Sequence, residues 1–146
     1  MCEFRYRNKS MAGEAVFTLH GTILVADDAP DYLHLMERIL EKEGHSVLEA
    51  TDGASALEIL TDTKVDLIIT DCTMSRMSGP EMISEVKRLY PALPFIVVSS
   101  TARKKDLEKF NPSAMLTKPF YLKDPVVAVD ETVDIETSPN RMTAQP

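Results

Sequence analysis

The chain of 146 residues is long enough to bury one substantial core and short for two. With 44% hydrophobic and 27% charged residues it is neither disordered nor membrane-embedded, and no apolar run reaches the roughly eighteen residues that a membrane span requires. A net charge of -7 excludes the broad attraction to phosphate backbones that a surplus of Lys and Arg creates, so no direct nucleic-acid partner is expected.

In chain order, residues 1–20 lack a sustained period and are read as a flexible N-terminal arm. Arg5, Arg7 and Lys9 are not followed by a continuous apolar stretch, so a secretory signal is not expected and the cytoplasm is. Cys2 and Cys72 cannot build a disulfide framework or a zinc site between them, and are read as reduced thiols. Ile23-Leu24-Val25-Ala26 is a short apolar run ending at Asp27-Asp28, which suits a strand buried on both faces. Leu33, Met36 and Leu40 then recur at helical spacing, and Gly44 stands where a helix C-cap belongs.

The alternation repeats. Ser46 to Ala50 reads as a second strand, and Asp52 is placed to cap a helix carrying Ala56, Leu57 and Leu60. Val65 to Thr70 gives a third strand, ending at Asp71. Pro80 then suits a first helical turn, with Met82, Ile83, Val86 and Leu89 as the buried stripe and Pro91 as the stop. Phe95 to Val98 is a fourth strand ending at Ser99, a short helix is expected from Arg103 to Phe110, and Ala114 to Thr117 is a fifth strand before Lys118. Near-continuous apolar strands separated by helices predict an α/β fold, a parallel sheet covered on both sides. Functional groups in such folds gather at the carboxyl ends of the strands, near the point where strand order reverses.

The residues at those ends are Asp27, Asp28, Asp71, Ser99 and Lys118. Singly each has a plain reading: acids favour helix N-termini, a lone Asp often starts a turn, and most lysines are solvated. Together they lie at one edge of one sheet and can converge on a pocket. Three close carboxylates repel one another unless a cation neutralises them, and Mg2+ favours oxygen ligands completed by water and phosphate. A carboxylate can then act as nucleophile toward phosphorus while a lysine ammonium neutralises charge and a hydroxyl bonds another oxygen.

At these positions the sequence resembles the receiver domains of two-component response regulators, including the single-domain chemotaxis regulators. The resemblance rests on Ile23-Leu24-Val25-Ala26-Asp27-Asp28, on Asp71-Cys72-Thr73-Met74-Ser75-Arg76-Met77-Ser78-Gly79 and on Lys118-Pro119-Phe120, in that order and spacing, over roughly residues 22 to 120. It implies a doubly wound, flavodoxin-like five-stranded parallel sheet of strand order 2-1-3-4-5. It divides the chain into the arm, a receiver domain over 21–130 and a flexible acidic tail over 131–146. Asp71 matches the phosphoacceptor, Asp28 the direct metal ligand, Asp27 its water-linked neighbour and Thr73 a backbone carbonyl ligand. Ser99 matches the switch hydroxyl and Lys118 the phosphoryl-contacting lysine, before a proline whose peptide is usually cis. A sensor histidine kinase or phosphotransfer protein would supply the phosphoryl group, a downstream protein would read it, and a homodimer is a further option.

Several positions depart from the family pattern. Ser75 replaces a proline, the Ser99 to Lys118 interval is short, Asn111-Pro112-Ser113 replaces a glycine-containing turn, and Met115 stands where an aromatic switch residue is usual. The β-branched run after Pro125 makes a poor amphipathic helix, so the last helix is not counted on. These departures motivate an alternative, a degenerate receiver that binds partners without phosphorylation. A phosphohydrolase is disfavoured because Thr73, two residues past Asp71, cannot readily move protons. A flavin carrier is disfavoured because acids replace phosphate-binding glycines after the first strand. His20, His34 and His45 do not cluster in sequence and receive no metal role.

Overall fold

The computed structural model describes residues 5–11, 14–100 and 103–137. Its main sheet comprises β3 (Thr22–Ala26), β4 (Ser46–Ala50), β5 (Leu67–Thr70), β6 (Phe95–Ser99) and β7 (Ala114–Thr117). All pairings are parallel and the spatial order is β4-β3-β5-β6-β7, which is 2-1-3-4-5 when counted within this sheet. The five strands expected from the apolar runs are therefore present, and their order reverses between β3 and β5.

Alternation along the strands divides the core into two layers. Leu24, Ile68 and Val97 face a cluster containing Ala56 and Leu60 of α2 (Gly53–Asp62), Met82, Ile83 and Val86 of α3 (Gly79–Leu89) and Leu107 of α4 (Lys105–Glu108). Ile23, Val25, Ile69 and Ile96 face Leu33, Met36 and Leu40 of α1 (Pro30–Lys42) and Ala128, Val129 and Val133 of α5 (Lys123–Thr137). The central strands β3, β5 and β6 are thus covered on both faces, as their unbroken apolar character requires.

Helix ends follow the sequence signals. Asp52 accepts a hydrogen bond from Ser55 N at 2.7 Å, and Ser78 accepts one from Glu81 N at 3.3 Å, so each side chain satisfies an amide of its helix's first turn. Gly44 has φ 95°, and the amides of Gly44 and His45 return to the carbonyls of Glu41 and Leu40. This closes α1 with a Schellman turn that a side chain at position 44 would strain. The helix after Ser99 is a single turn, Lys105–Glu108, and Asn111 takes the left-handed φ of 59° that the missing glycine would otherwise supply.

Two expectations require correction, and one point the sequence left open is answered. The arm is not irregular throughout: β1 (Arg5–Met11) and β2 (Glu14–His20) pair as an antiparallel two-stranded sheet, in register from Arg5 opposite His20 to Met11 opposite Glu14. The last helix forms. Pro125 lies in its first turn, where a missing N–H breaks no helical hydrogen bond. Pro125, Ala128, Val129, Thr132 and Val133 are buried at helical spacing, and packing of that stripe outweighs the poor propensity of the valines. The helix carries ordered chain past the expected boundary at 130, so residues 131–137 are helical and not tail; the rest of that tail lies outside the described residues.

Candidate functional site

Asp27, Asp71 and Ser99 are delivered to one edge of the sheet by β3, β5 and β6, and Lys118 arrives there directly after β7. Asp71 N donates to Ala26 O at 2.9 Å and Asp27 N to Ala50 O at 3.0 Å, which extends the ladder to the acids themselves. The Asp71 carboxylate is the meeting point. Its Oδ1 accepts from Cys72 N at 2.6 Å and from Ser99 Oγ at 2.7 Å, with Thr73 N at 3.4 Å, while its Oδ2 accepts from Lys118 Nζ at 3.1 Å. Lys118 Nζ also donates to Asp27 Oδ2 at 2.5 Å, and Asp27 Oδ1 accepts from Ala29 N at 2.9 Å. Asp27, Asp28 and Asp71 each offer an oxygen within 4.8 Å of the others, with Asp28 exposed and Asp27 buried.

The electrostatics are those of a pocket short of positive charge. Burial pushes the Asp27 carboxyl above its ordinary value, and Asp71 adds to this, although Lys118 and the Ala29 amide oppose it. Burial alone would lower Lys118. Its hydrogen bond and attraction to Asp27, with the charge of Asp71, reverse the sign, so the lysine titrates above its usual range and stays an ammonium. One ammonium thus serves two carboxylates.

The loop after β5 explains the specific run from Asp71 to Gly79. Met74 is buried and Met77 half-buried against the core, so both methionines are packing anchors. Gly79 is required sterically: a Cβ there would lie 2.2 Å from Asp71 O and 2.9 Å from Cys72 Cα, and Gly79 N donates to Cys72 O at 2.9 Å. Ser75 O accepts from Met77 N at 2.7 Å across Arg76, which has φ 66°. Arg76 reaches Asp52 at 3.4 Å, and Gly53 N donates to Met77 O at 3.0 Å, so the loop is tied to the start of α2. Close packing with no room for Cβ explains Gly53, whose added carbon would lie 2.7 Å from Met77 O.

All the singled-out residues gather here except that Thr73 meets Asp71 only through its long amide contact. The Lys118-Pro119 peptide is cis. Met115 is half-buried against the α2/α3 layer, and the next strand residue but one, Thr117, accepts a hydrogen bond from Lys104 Nζ. Tyr32 was not foreseen: its ring lies 4.0 Å from Lys118 Nζ and 5.9 Å from the Phe120 ring. The signal was its place one helical turn past the Asp27-Asp28 pair, on the side of α1 that looks toward the pocket. Cys72 is buried beside Asp71, and burial pushes its thiol up, which makes it a packed and unreactive group.

The model of the response regulator receiver domain matches residues 23–130. The transcriptional regulatory protein GlrR of Escherichia coli (strain K12) is 31% identical over 115 residues, covering 77% of this chain and 26% of GlrR, so the chain spans about a quarter of that relative. The response regulator receiver protein CpdR of Brucella abortus (strain 2308) is 30% identical over 112 residues, covering 75% of this chain and 93% of CpdR. Among solved structures, the response regulator protein TrrA of Thermotoga maritima in complex with Mg(2+)-BeF superimposes with a TM-score of 0.71 at 26% identity. That match covers 77% of this chain and 98% of TrrA.

Proposed function

This chain belongs to the response regulator receiver domain family, and from that premise we propose that it accepts a phosphoryl group on Asp71 and thereby changes a partner-binding surface. The unit would run from residue 21 through α5, act in the cytoplasm, and take its phosphoryl group from a histidine kinase or a phosphotransfer protein. The observation that carries this reading is the convergence on one carboxylate of a hydroxyl, an ammonium and two further acids.

Asp27, Asp28 and Asp71 fit a hard divalent cation such as Mg2+, because all three are oxygen donors and Asp27 is buried without full compensation. Thr73 would add its backbone carbonyl. When bound, the ion supplies positive charge against the oxygens of the transferring group. A carboxylate oxygen of Asp71 attacks phosphorus, the bond from phosphorus to the donor's imidazole nitrogen breaks, and the imidazole keeps the electron pair. Lys118, already at 3.1 Å from Asp71, turns from Asp27 toward a phosphoryl oxygen, and Ser99 Oγ moves its hydrogen bond from Asp71 to another. The Cys72 amide holds the attacking carboxylate in place throughout. No helix of the described residues is long and apolar enough to cross a membrane.

The test is an intact-mass measurement after incubation with a small phosphodonor, with and without Mg2+. One phosphoryl group is expected with Mg2+, and none in Asp71→Asn. An unlabelled wild-type protein would favour the alternative, in which a degenerate receiver binds its partner without phosphorylation.

A further inference from the structure

The junction of α1 with the edge strand β4 holds a second set of ligating side chains that the phosphoacceptor chemistry does not use. His34 and Glu37, three residues apart, share one side of α1 next to its buried stripe of Leu33, Met36 and Leu40. Glu49 lies two residues from Val47, which packs in the α1 layer, so strand alternation directs Glu49 to the same face of the sheet. One ligand atom from each of His34, Glu37 and Glu49 lies within 4.8 Å of the other two.

A second observation is independent of that clustering. Glu49 Oε1 is fully enclosed and has no hydrogen-bond partner, although buried acceptors are ordinarily paired. An enclosed carboxylate oxygen beside a second carboxylate and an imidazole is placed to ligate a cation.

We propose that His34, Glu37 and Glu49 form a divalent transition-metal site, with zinc the best-suited occupant, that clamps α1 to β4. The imidazole nitrogen selects for borderline ions over Mg2+ and Ca2+, which prefer all-oxygen ligands. One nitrogen and two carboxylates leave a further position for water, as in open zinc sites. The site is built from a helix and a strand that also frame the Asp27-Asp28 corner, since α1 starts three residues after Asp27. Metal binding would therefore stiffen the helix on which Tyr32 holds Lys118.

The experiment is a calorimetric titration of the full chain with zinc chloride in millimolar Mg2+, paired with thermal melts. Wild-type protein is expected to bind a single stoichiometric ion and to melt higher when zinc is present. His34→Gln and Glu49→Gln should each weaken binding about tenfold or more and remove the zinc-dependent rise in melting temperature. His34 is exposed, so its variant keeps the packing intact and separates ligation from folding. Asp28→Asn should bind zinc as wild type does. No stoichiometric zinc, unchanged affinity in both junction variants, or loss of zinc binding in Asp28→Asn would overturn the proposal; the last outcome would place the ion in the Asp71 pocket.

Discussion

Asp27 and Asp66 are almost equally buried, at 5% and 6% exposure, yet they stand at opposite ends of one parallel sheet and face different things. At the amino end, Asp66 Oδ2 accepts from Thr22 N at 2.8 Å while its own amide donates to Thr22 O at 2.8 Å, closing the entry of β3 against β5. His45 does the same for Gly21, whose amide donates to its Nδ1 at 3.2 Å. At the carboxyl end, Asp27 meets another acid and shares its ammonium with it. A cavity of about 410 Å³ opens at the amino end, lined by Leu60, Tyr90 and Pro94 with Asp66. Burial does not tell the two ends apart, and the cavity lies at the end away from the converging acids. What sets the carboxyl end apart is side chains hydrogen-bonded to one another as well as to the backbone.

The largest expected effect breaks the carboxyl end alone. Asp71→Asn should abolish phosphoryl uptake while leaving the fold in place, because it removes a negative charge from a pocket that has too many. Next comes Gly79→Ala, whose new methyl would press on the Asp71 carbonyl; destabilisation of about 3 kcal/mol, read in urea melts, is expected from such overpacking. A cost near zero would show that the loop is not held as tightly as its contacts indicate.

At the amino end the effect should be on stability and pH only. Burial, ahead of the charge of His20, lowers the His45 imidazole to about 4 from 6.5. The unfolded chain then binds the proton first, so the contribution is complete above pH 6.5 and is lost as pH falls from 6.5 toward 4, about 3 kcal/mol in all. Denaturant melts across that range should show the fall, and His45→Gln should flatten it. The smallest effect is for Asp66→Ala, about 2 kcal/mol for one charged hydrogen bond to the backbone, with phosphoryl uptake unchanged. Reduced uptake in Asp66→Ala at full folding would erase the distinction between the two ends.

The carboxyl end was the more legible in the sequence. Runs such as Ile23 to Ala26 and Phe95 to Val98 mark buried strands, and a charged residue directly after each run falls at the same edge by topology alone. The amino end was silent because Asp66 falls inside the run read as the third strand and His45 reads as an ordinary surface or helix residue until the backbone partners are known. The last helix was left open for a different reason: propensity argued against Val126, Val127 and Val129, and the stripe running from Pro125 to Val133 was not counted. The pairing of Arg5–Met11 with Glu14–His20 was missed because its alternation is blurred by polar residues on both strands. The His34, Glu37 and Glu49 group joins α1 to β4 across residues up to fifteen apart in sequence, a proximity that no local pattern shows.

Under the proposed function the region from Ser99 to Phe120 would carry the readout, and there α4 is one turn and Met115 packs without a ring to rotate. The most direct test of an Asp71 switch coupled to that remodelled region is amide exchange with and without beryllofluoride and Mg2+. Slower exchange is expected in two segments, Cys72 to Gly79 and Ser99 to Phe120, and in neither for Asp71→Asn. Changes confined to Cys72 to Gly79 in the wild-type protein, with none from Ser99 to Phe120, would contradict the account.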